Sequence, residues 1–361
     1  MSAVEAHLAR LKIARESKLL VDGTLSAQRA AAERRAAAMR VDRRIQEGAA
    51  KRRVELQRTY TTAAKPPSPA ARTNRGGGGG GLVVSDELLG EGATGKVWAA
   101  TFGPNKIEVA AKVVRKDALT REQLGWIREE IHIHKQMRHP HICTLHGYIE
   151  DGHSITMVLA LCRGGSLCDT MGRALSTNSP LPEEKCHHAF VQLCGALHYC
   201  HRTGVVHRDI KLDNLVWADQ KETRLVLVDF GYAATVNEQH NFAGSPHYAA
   251  PEVHRANDDG TPDFLAAGAD VWSCGVCLFA MLATQLPFGG EEETDEEQAE
   301  LRKKVCDGSW DCDLEGKCSE AAADLVTRML TVNPEERASL DDVCEHEWVG
   351  GLEAVPWQES S

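Results

Sequence analysis

The sequence predicts an α+β protein in which a region of short β-strands is followed by a longer, mostly helical region. Short β-type runs begin at Leu82 and continue to residue 114. Helical patterns then occupy residues 121–138 and residues 182–201, and both are longer than an ordinary strand. The composition before Leu82 is different, so the fold is expected to follow an N-terminal extension that is helical or disordered.

Length and composition limit the class of protein. At 361 residues the chain could hold two domains, or one large domain with an extension. No run of about 18 apolar residues occurs, so no membrane span is expected. The only CxxC pair among the twelve cysteines, Cys274 and Cys277, lies in an apolar run, where core packing explains it better than zinc binding. Free thiols indicate a reducing compartment; we expect the cytoplasm, with the nucleus as the alternative.

Charge is distributed unevenly along the chain. Residues 1–75 carry 17 Lys and Arg and 7 Asp and Glu, whereas the remaining residues carry 24 and 45. A basic head is therefore joined to an acidic body. This asymmetry indicates two segments with different partners.

The basic extension, residues 1–64, is rich in Ala and Arg but too poor in large apolar residues for a coiled coil. We predict an isolated helix or a disordered tail that acts as a spacer or binds a regulatory partner. A transit peptide and an arm for nucleic acid or an acidic membrane are the alternatives, and nucleic acid is not the expected partner. Residues 65–82 follow as a linker of prolines and then six glycines.

A glycine-rich motif opens the folded region, with the sequence Gly90-Glu91-Gly92-Ala93-Thr94-Gly95-Lys96-Val97. Dinucleotide-binding folds share the G-x-G-x-x-G spacing, but there the motif opens a helix. Here it continues into β-type residues and then into a second β-type segment, residues 107–114, that contains Lys112. The surroundings therefore predict a β-hairpin.

Two later blocks carry groups suited to phosphate chemistry. The first presents Asp209, Lys211 and Asn214 within one short segment, so a single loop could direct all three at a reacting phosphate. In the second, an apolar run of strand length leads to Asp229, and Gly231 follows. Asp229 is therefore expected at a strand end, where it is a candidate metal ligand.

Together these motifs resemble the glycine-rich loop, catalytic loop and metal-binding loop of eukaryotic protein kinases. A lysine two residues after the aspartate is typical of serine/threonine kinases, and residues 244–252 are similar to the calmodulin-kinase and AMP-activated-kinase-like group. The resemblance covers residues 83–349 and leaves a short tail, residues 350–361. It implies a bilobal fold, with a small antiparallel β lobe and a larger helical lobe, that transfers the γ-phosphoryl group of ATP to Ser or Thr hydroxyls of proteins.

The resemblance also implies catalytic roles. Asp209 would orient the substrate hydroxyl or accept its proton, and Lys211 would neutralise charge on the transferred group. Asn214 and Asp229 would hold Mg²⁺. The alternative from another functional class is a scaffold protein that has the kinase fold but no catalytic activity. Such a scaffold would normally lack one of these residues or Lys112.

Lys112 is expected to reach the α and β phosphates and to pair with Glu130, whereas Glu129 should face solvent. Leu159 would be the gatekeeper, and the backbone of residues 160–162 would bind adenine. The full set of nucleotide-binding residues implied by the resemblance is Leu89, Gly90, Glu91, Gly92, Ala93, Thr94, Gly95, Lys96, Val97, Ala110, Lys112, Leu159, Ala160, Cys162, Val216 and Asp229.

The resemblance implies three contacts in the large lobe. Asp270 would brace the catalytic loop, Arg337 would pair with Glu252, and Ser245 would hydrogen-bond the catalytic aspartate and lysine.

Several positions depart from the family pattern. Thr94 stands in place of a loop-tip aromatic, which should leave the phosphates less shielded, and Ser166 stands where relatives place a glutamate. Asn241 occupies the position of the activating phosphothreonine and has no hydroxyl, while Glu238 is a candidate fixed anion. We therefore expect activity without phosphorylation of the activation segment, with Thr235 as the alternative phosphosite.

Acidic residues predict the type of substrate. Residues 291–300 contain seven Asp and Glu, and Asp213 lies beside the catalytic residues. We expect protein substrates that are basic around the acceptor, although Ser166 weakens this expectation. A loop that only aids solubility is the alternative.

Overall fold

The computed structural model describes residues 81–92, 95–235, 245–259, 266–289 and 294–350. They form a small lobe, built on a five-stranded antiparallel sheet and one helix, and a larger, mostly helical lobe. The predicted α+β fold with two lobes is confirmed. The predictions for residues 1–80 and 351–361, and for Ala93, Thr94, Glu238 and Asn241, lie outside the described residues.

The small-lobe sheet consists of β1 (Val83–Gly92), β2 (Gly95–Phe102), β3 (Ile107–Arg115), β4 (Leu145–Glu150) and β5 (Ser154–Ala160). Their order is β1-β2-β3-β5-β4, and every neighbouring pair is antiparallel. Because side chains alternate between the faces of a sheet, Val109 and Val158 join one apolar cluster while Val114 and Met157 join another.

Helix α1 (Arg121–His134) packs against the second of these clusters through Ile127 and Ile131. Thr120 caps it in a capping box with Gln123. The helix ends four residues before the predicted end at residue 138. It stops because the last turn closes through i→i+3 bonds and Pro140 disfavours helical backbone before it.

The described part of the large lobe contains α2 (Leu167–Ser176), α3 (Glu183–Arg202), α4 (Pro251–Asp259), α5 (Ala266–Ala283), α6 (Asp295–Asp307), α7 (Glu320–Met329) and α8 (Leu340–Glu345). Its short strands are β6 (Val205–Val206), β7 (Leu215–Trp217), β8 (Leu225–Leu227) and β9 (Ala234–Thr235). Strand β6 pairs with β9, and β7 pairs with β8. The loops that join these strands carry the candidate site.

Helix α5 is apolar on nearly every side and lies at the centre of the large-lobe core. Cys274 and Cys277 are fully buried in it, as core packing predicts. A Cβ added to Gly275 would lie 2.9 Å from the Cβ of Met329, so glycine lets α5 and α7 approach closely. Within the described ranges, no helix is both long and apolar enough to cross a membrane.

The turn after α5 contains a strained residue, Thr284. Its φ is 58°, in the left-handed region that β-branched residues rarely adopt. Its Oγ1 is buried and has no hydrogen-bond partner among the residues that the structure describes. Thr284 therefore carries both a backbone cost and a desolvation cost.

Candidate active site

The catalytic-loop segment follows β6 and is held by Asp270 of α5. The two carboxylate oxygens of Asp270 accept hydrogen bonds from the backbone N–H groups of His207, at 2.9 Å, and Arg208, at 2.8 Å. Arg208 has a φ of 66°, an unfavourable backbone conformation that these bonds hold in place. The predicted bracing contact is confirmed, and it fixes the direction from which the next residue, Asp209, projects.

Asp209 lies at the centre of a polar cluster although only 4% of its surface is exposed. Its Oδ2 is 2.8 Å from Lys211 Nζ and accepts a hydrogen bond from Asn214 Nδ2 at 2.9 Å. Its Oδ1 accepts from Ser245 Oγ at 3.3 Å, and Lys211 donates to the same hydroxyl at 3.1 Å. The structure thus brings together three of the predicted catalytic residues and places Ser245 beside them, as expected.

Lys112 of β3 joins two carboxylates from different parts of the fold. Its Nζ is 2.7 Å from Glu130 Oε1 and 3.0 Å from Asp229 Oδ1. Glu130 is buried in α1 whereas Glu129 is exposed, so the choice between these two glutamates as the lysine's partner is confirmed. Asp229 follows β8 by two residues and has a φ of 61°, a second strained backbone position in the site.

Electrostatics keep Lys112 charged. Burial opposes the charge, but Asp229 and Glu130 outweigh burial and raise the lysine's pKa. Burial also opposes ionisation of Asp229, yet the Lys112 ammonium lowers the pKa of this carboxyl to about 2. Burial raises the pKa of Glu130 against the attraction of Lys112, and Glu130 Oε2 has no hydrogen-bond partner in the described part of the chain. A fixed ammonium of this kind is suited to an anionic ligand such as a phosphate.

Asn214 and Asp229 fit the requirements of Mg²⁺, a hard cation that prefers oxygen ligands. Asn214 uses its Nδ2 for hydrogen bonds to Asp209, and Asp229 uses its Oδ1 for Lys112. No hydrogen bond of the described residues uses Asn214 Oδ1 or Asp229 Oδ2. The Asp229 side chain is also 35% exposed. The donor atoms present therefore suit the ion that the resemblance implies.

Most of the predicted phosphate-binding residues lie on the β1–β2 hairpin. Residues 89–92 end β1, and residues 95–97 open β2. Glu91 and Lys96 face each other in register, with 3.4 Å between their charged groups. These two side chains therefore pair with each other. A nucleotide bound at the hairpin would contact the backbone N–H groups of these residues and not their side chains. Val216 lies apart from the hairpin, in β7 of the large lobe.

The connection between the lobes begins at Ala160, the last residue of β5. The strand ends there because the backbone N–H groups of Arg163 and Gly164 bond to carbonyls at the end of β7 instead. Cys162 lies between these two points and is partly exposed.

Residues on either side of the connection between the lobes contact neighbouring strands of the small-lobe sheet. Ala110 lies opposite Leu159, which brings two of the predicted nucleotide-binding residues together. The Arg163 guanidinium reaches back to the small lobe, 2.9 Å from Glu108 and 3.5 Å from Glu87. These exposed ion pairs span the hinge.

A buried ion pair anchors the end of the activation segment. Arg337 donates from Nη1 to Glu252 Oε1 at 2.6 Å and from Nη2 to Oε2 at 2.8 Å, as predicted. Ser273 of α5 donates to the carbonyl of Tyr248 at 2.7 Å. Together these contacts hold the backbone that carries Ser245 beside the catalytic loop.

Two ring contacts behind the site were not predicted. His134 stacks on Phe230 with 4.7 Å between ring centroids, and His207 meets the same ring edge-on at 5.0 Å. Burial lowers the pKa of His134 to about 4. These rings fix the residue after Asp229 against α1. The spacing of four residues between Glu130 and His134, on one helix face, was the available sequence signal.

Known proteins are similar to this chain in sequence. The family model described as the protein kinase domain matches residues 83–349. NUAK family SNF1-like kinase 2 of Rattus norvegicus is 35% identical over 269 residues, which cover 73% of this chain and 39% of that protein. Serine/threonine-protein kinase GIN4 of Saccharomyces cerevisiae is 36% identical over 281 residues, with coverage of 72% and 23%. The carbon catabolite-derepressing protein kinase of Candida tropicalis is 36% identical over 265 residues, with coverage of 72% and 40%.

The matched region spans less than half the length of each of these relatives. The motifs, the two-lobed fold and the family match nevertheless agree over residues 83–349. The chain therefore belongs to the protein kinase family, within the calmodulin-kinase and AMP-activated-kinase-like group.

Proposed function

We propose that this chain is an active serine/threonine protein kinase that transfers the γ-phosphoryl group of ATP to hydroxyls of protein substrates. One observation carries the proposal. Lys112 holds Glu130 and Asp229 within 3.0 Å of its ammonium, while Asp209 and Lys211 form a second cluster on the catalytic loop. An inactive scaffold would have no need of both clusters, because each brings buried charge that is costly to assemble.

Each side chain of the second cluster has a distinct task. Asp209 would accept a hydrogen bond from the substrate hydroxyl and take its proton as the oxygen attacks. Lys211, which already contacts Asp209 Oδ2 at 2.8 Å, would neutralise charge on the transferred group. Ser245 would keep the aspartate and lysine oriented between turnovers, since it contacts both.

The nucleotide would lie between the lobes. Lys112 would contact its α and β phosphates, and the backbone of residues 160–162 would hydrogen-bond adenine. Asn214 and Asp229 would hold Mg²⁺. Bound there, the ion would supply charge neutralisation at the β and γ phosphates.

The experiment is a peptide phosphorylation assay on the full chain and on single variants. Asp209→Asn and Lys112→Met should each lower turnover by orders of magnitude, because positioning and charge stabilisation supply most of the rate. Glu130→Gln should also lower it, whereas Glu129→Gln, its exposed neighbour, should not. More than about a tenth of wild-type turnover in Asp209→Asn would contradict the assignment.

The activation segment is proposed to need no phosphate. Asn241 offers no hydroxyl at the usual position. Thr235 pairs through its backbone with Val205, at the edge of the catalytic-loop segment. Phosphatase-treated protein should keep its turnover, as should Thr235→Ala. Activity that disappears under either treatment would identify a regulatory phosphosite instead.

Substrates are proposed to be basic around the acceptor. Asp213 is exposed one residue before Asn214, and α6 begins within the acidic stretch, at Asp295. Ser166 caps α2 by pairing with Asp169, so the position filled by glutamate in relatives has a structural task here. A peptide library should show enrichment of Arg or Lys near the acceptor. A library without such enrichment would leave the acidic stretch as a solubility feature.

The basic extension, residues 1–64, is proposed to bind a regulatory partner in the cytoplasm, with the nucleus as the alternative compartment. Its charge is opposite to that of the kinase region, which supports a separate task. Removal of residues 1–64 should leave peptide phosphorylation unchanged and alter partner capture from cells. Steeply salt-dependent binding of the extension to nucleic acid would favour the alternative role instead.

A further inference from the structure

Two cysteine thiols meet behind the hinge. Cys143 lies between α1 and β4, and Cys162 lies in the hinge itself. Their Sγ atoms both donate to the carbonyl of Ala160, at 3.6 Å for Cys143 and 3.9 Å for Cys162. The two thiols also affect each other's ionisation: Cys162 raises the pKa of Cys143, and Cys143 lowers the pKa of Cys162. The pair is a feature that the proposed phosphoryl transfer does not use.

The backbone holds these thiols together. The Ala160 N–H donates to the Thr144 carbonyl at 2.8 Å, and Leu145 pairs with Leu159 in the antiparallel register of β4 and β5. Continuing this register places residue 143 opposite residue 161, so Cys162 is the next residue along the hinge, and its thiol contacts the same Ala160 carbonyl as the Cys143 thiol. A disulfide requires two sulfurs that can approach each other, and the contact of both thiols with one carbonyl oxygen is the observation that supports such a bond here.

Cys162 differs chemically from the core cysteines. Burial raises the pKa of the thiols of Cys194, Cys200 and Cys274, which leaves them inert. At Cys162, the neighbouring Cys143 thiol and then the charge of Arg224 lower the pKa against burial. Cys162 is partly exposed, whereas Cys143 is 5% exposed. The accessible thiol is thus the one that more readily forms a thiolate.

We propose that Cys143 and Cys162 are a redox modification site, at which hydrogen peroxide converts the two thiols into a reversible disulfide. The Cys162 thiolate attacks one peroxide oxygen, the O–O bond breaks and hydroxide leaves, so Cys162 becomes a sulfenic acid. The Cys143 thiol then attacks the Cys162 sulfur. The S–S bond forms, the S–O bond breaks, and the two thiol protons end in two waters. Two electrons pass from the sulfurs to one peroxide.

The disulfide would disturb the hinge. An S–S bond is about 2.05 Å long, far shorter than the contacts of 3.6 and 3.9 Å that the two sulfurs make with the Ala160 carbonyl, so the Cys162 backbone would move towards Cys143. Oxidation also removes both S–H donors from the Ala160 carbonyl. This effect on nucleotide rests on the proposed function, in which the backbone of residues 160–162 binds adenine. Loss of one adenine hydrogen bond would weaken ATP binding by about threefold to tenfold.

One tryptic peptide reports the chemistry directly. Residues 139–163 contain both cysteines, and no Lys or Arg before Arg163. The reduced full-length chain should take up two N-ethylmaleimide groups on this peptide. After peroxide the peptide should take up none and should weigh two hydrogens less, and dithiothreitol should restore both labels. Cys143→Ser should leave Cys162 as a sulfenic acid that dimedone traps, whereas Cys168→Ser, an exposed cysteine outside the pair, should behave as wild type.

Retention of both labels after peroxide would overturn the modification site, as would a cross-link that joins two separate chains. An intact disulfide with unchanged ATP affinity would overturn its effect on the hinge. ATP affinity of the reduced chain is measured first. A reduced chain that binds no ATP contradicts the proposed function, while the peptide result still decides the disulfide.

Discussion

Replacement of Thr284 by glycine should stabilise the fold. The left-handed backbone at φ 58° costs a residue with a Cβ about 1–2 kcal/mol, and glycine removes this cost. The buried, unpaired Oγ1 adds about 1–3 kcal/mol that glycine also removes. Glycine gains about 0.4–1 kcal/mol of extra entropy in the unfolded chain, which opposes the change. The net stabilisation should be about 2 kcal/mol, or roughly 4 °C in Tm for a domain of this size.

Thermal and urea denaturation of matched variants would check this reasoning. Thr284→Val removes only the hydroxyl, so it should recover part of the stabilisation and leave the backbone cost. Thr327→Gly, at an exposed position inside α7, should instead destabilise by about 0.4 kcal/mol, since glycine is less favourable than threonine in a helix. A Thr284→Gly variant that melts below wild type would show that neither cost exists at this turn.

Arg337→Ala should destabilise the large lobe by about 3–5 kcal/mol in urea denaturation, because it leaves the Glu252 carboxylate buried without its partner; a loss below 1 kcal/mol would show that water replaces the arginine. Burial lowers the pKa of His134 from 6.5 to about 4, so the unfolded chain binds a proton in this window that the folded chain does not, and stability falls as pH falls. Between pH 7 and 4.5 wild type should therefore lose about 2 kcal/mol more than His134→Gln, with exposed His132→Gln as the matched control; equal pH profiles would contradict this. Ser245→Asp should lower kcat on the order of 100-fold, because a carboxylate would compete for the catalytic lysine, and Ser245→Ala should be milder in the same peptide assay.

Contacts within recognised motifs were predictable from sequence. The resemblance to protein kinases selected Glu130 over its neighbour as the partner of Lys112, and the structure agrees. The pairing of Glu252 with Arg337 was predicted in the same way, across 85 residues of chain. Such contacts are predictable because the positions of these residues in their motifs define their partners, even when the residues are far apart in sequence.

Other features depend on packing that no local pattern encodes. The end of β5 at Ala160 follows from hydrogen bonds that the hinge makes with residues 217 and 218 of the large lobe. Thr284 gives no sequence signal of strain, since threonine is ordinary at most positions. The thiol pair of Cys143 and Cys162 arises from the path that the hinge takes after β5, which periodicity alone does not determine. These features required the three-dimensional arrangement.

The hydrogen bonds from the catalytic loop to Asp270 have a consequence for how often the loop backbone opens to solvent. The N–H groups of His207 and Arg208 are bonded to a side chain that is itself 1% exposed in the centre of the large lobe. Their hydrogens can exchange with solvent only when α5 separates from the loop. These two amides should therefore exchange as slowly as the most protected amides of the large lobe, although they lie beside a surface where substrates come and go. The backbone of the catalytic loop at these two residues would then open only as often as the large-lobe core opens, and not as often as an ordinary surface loop.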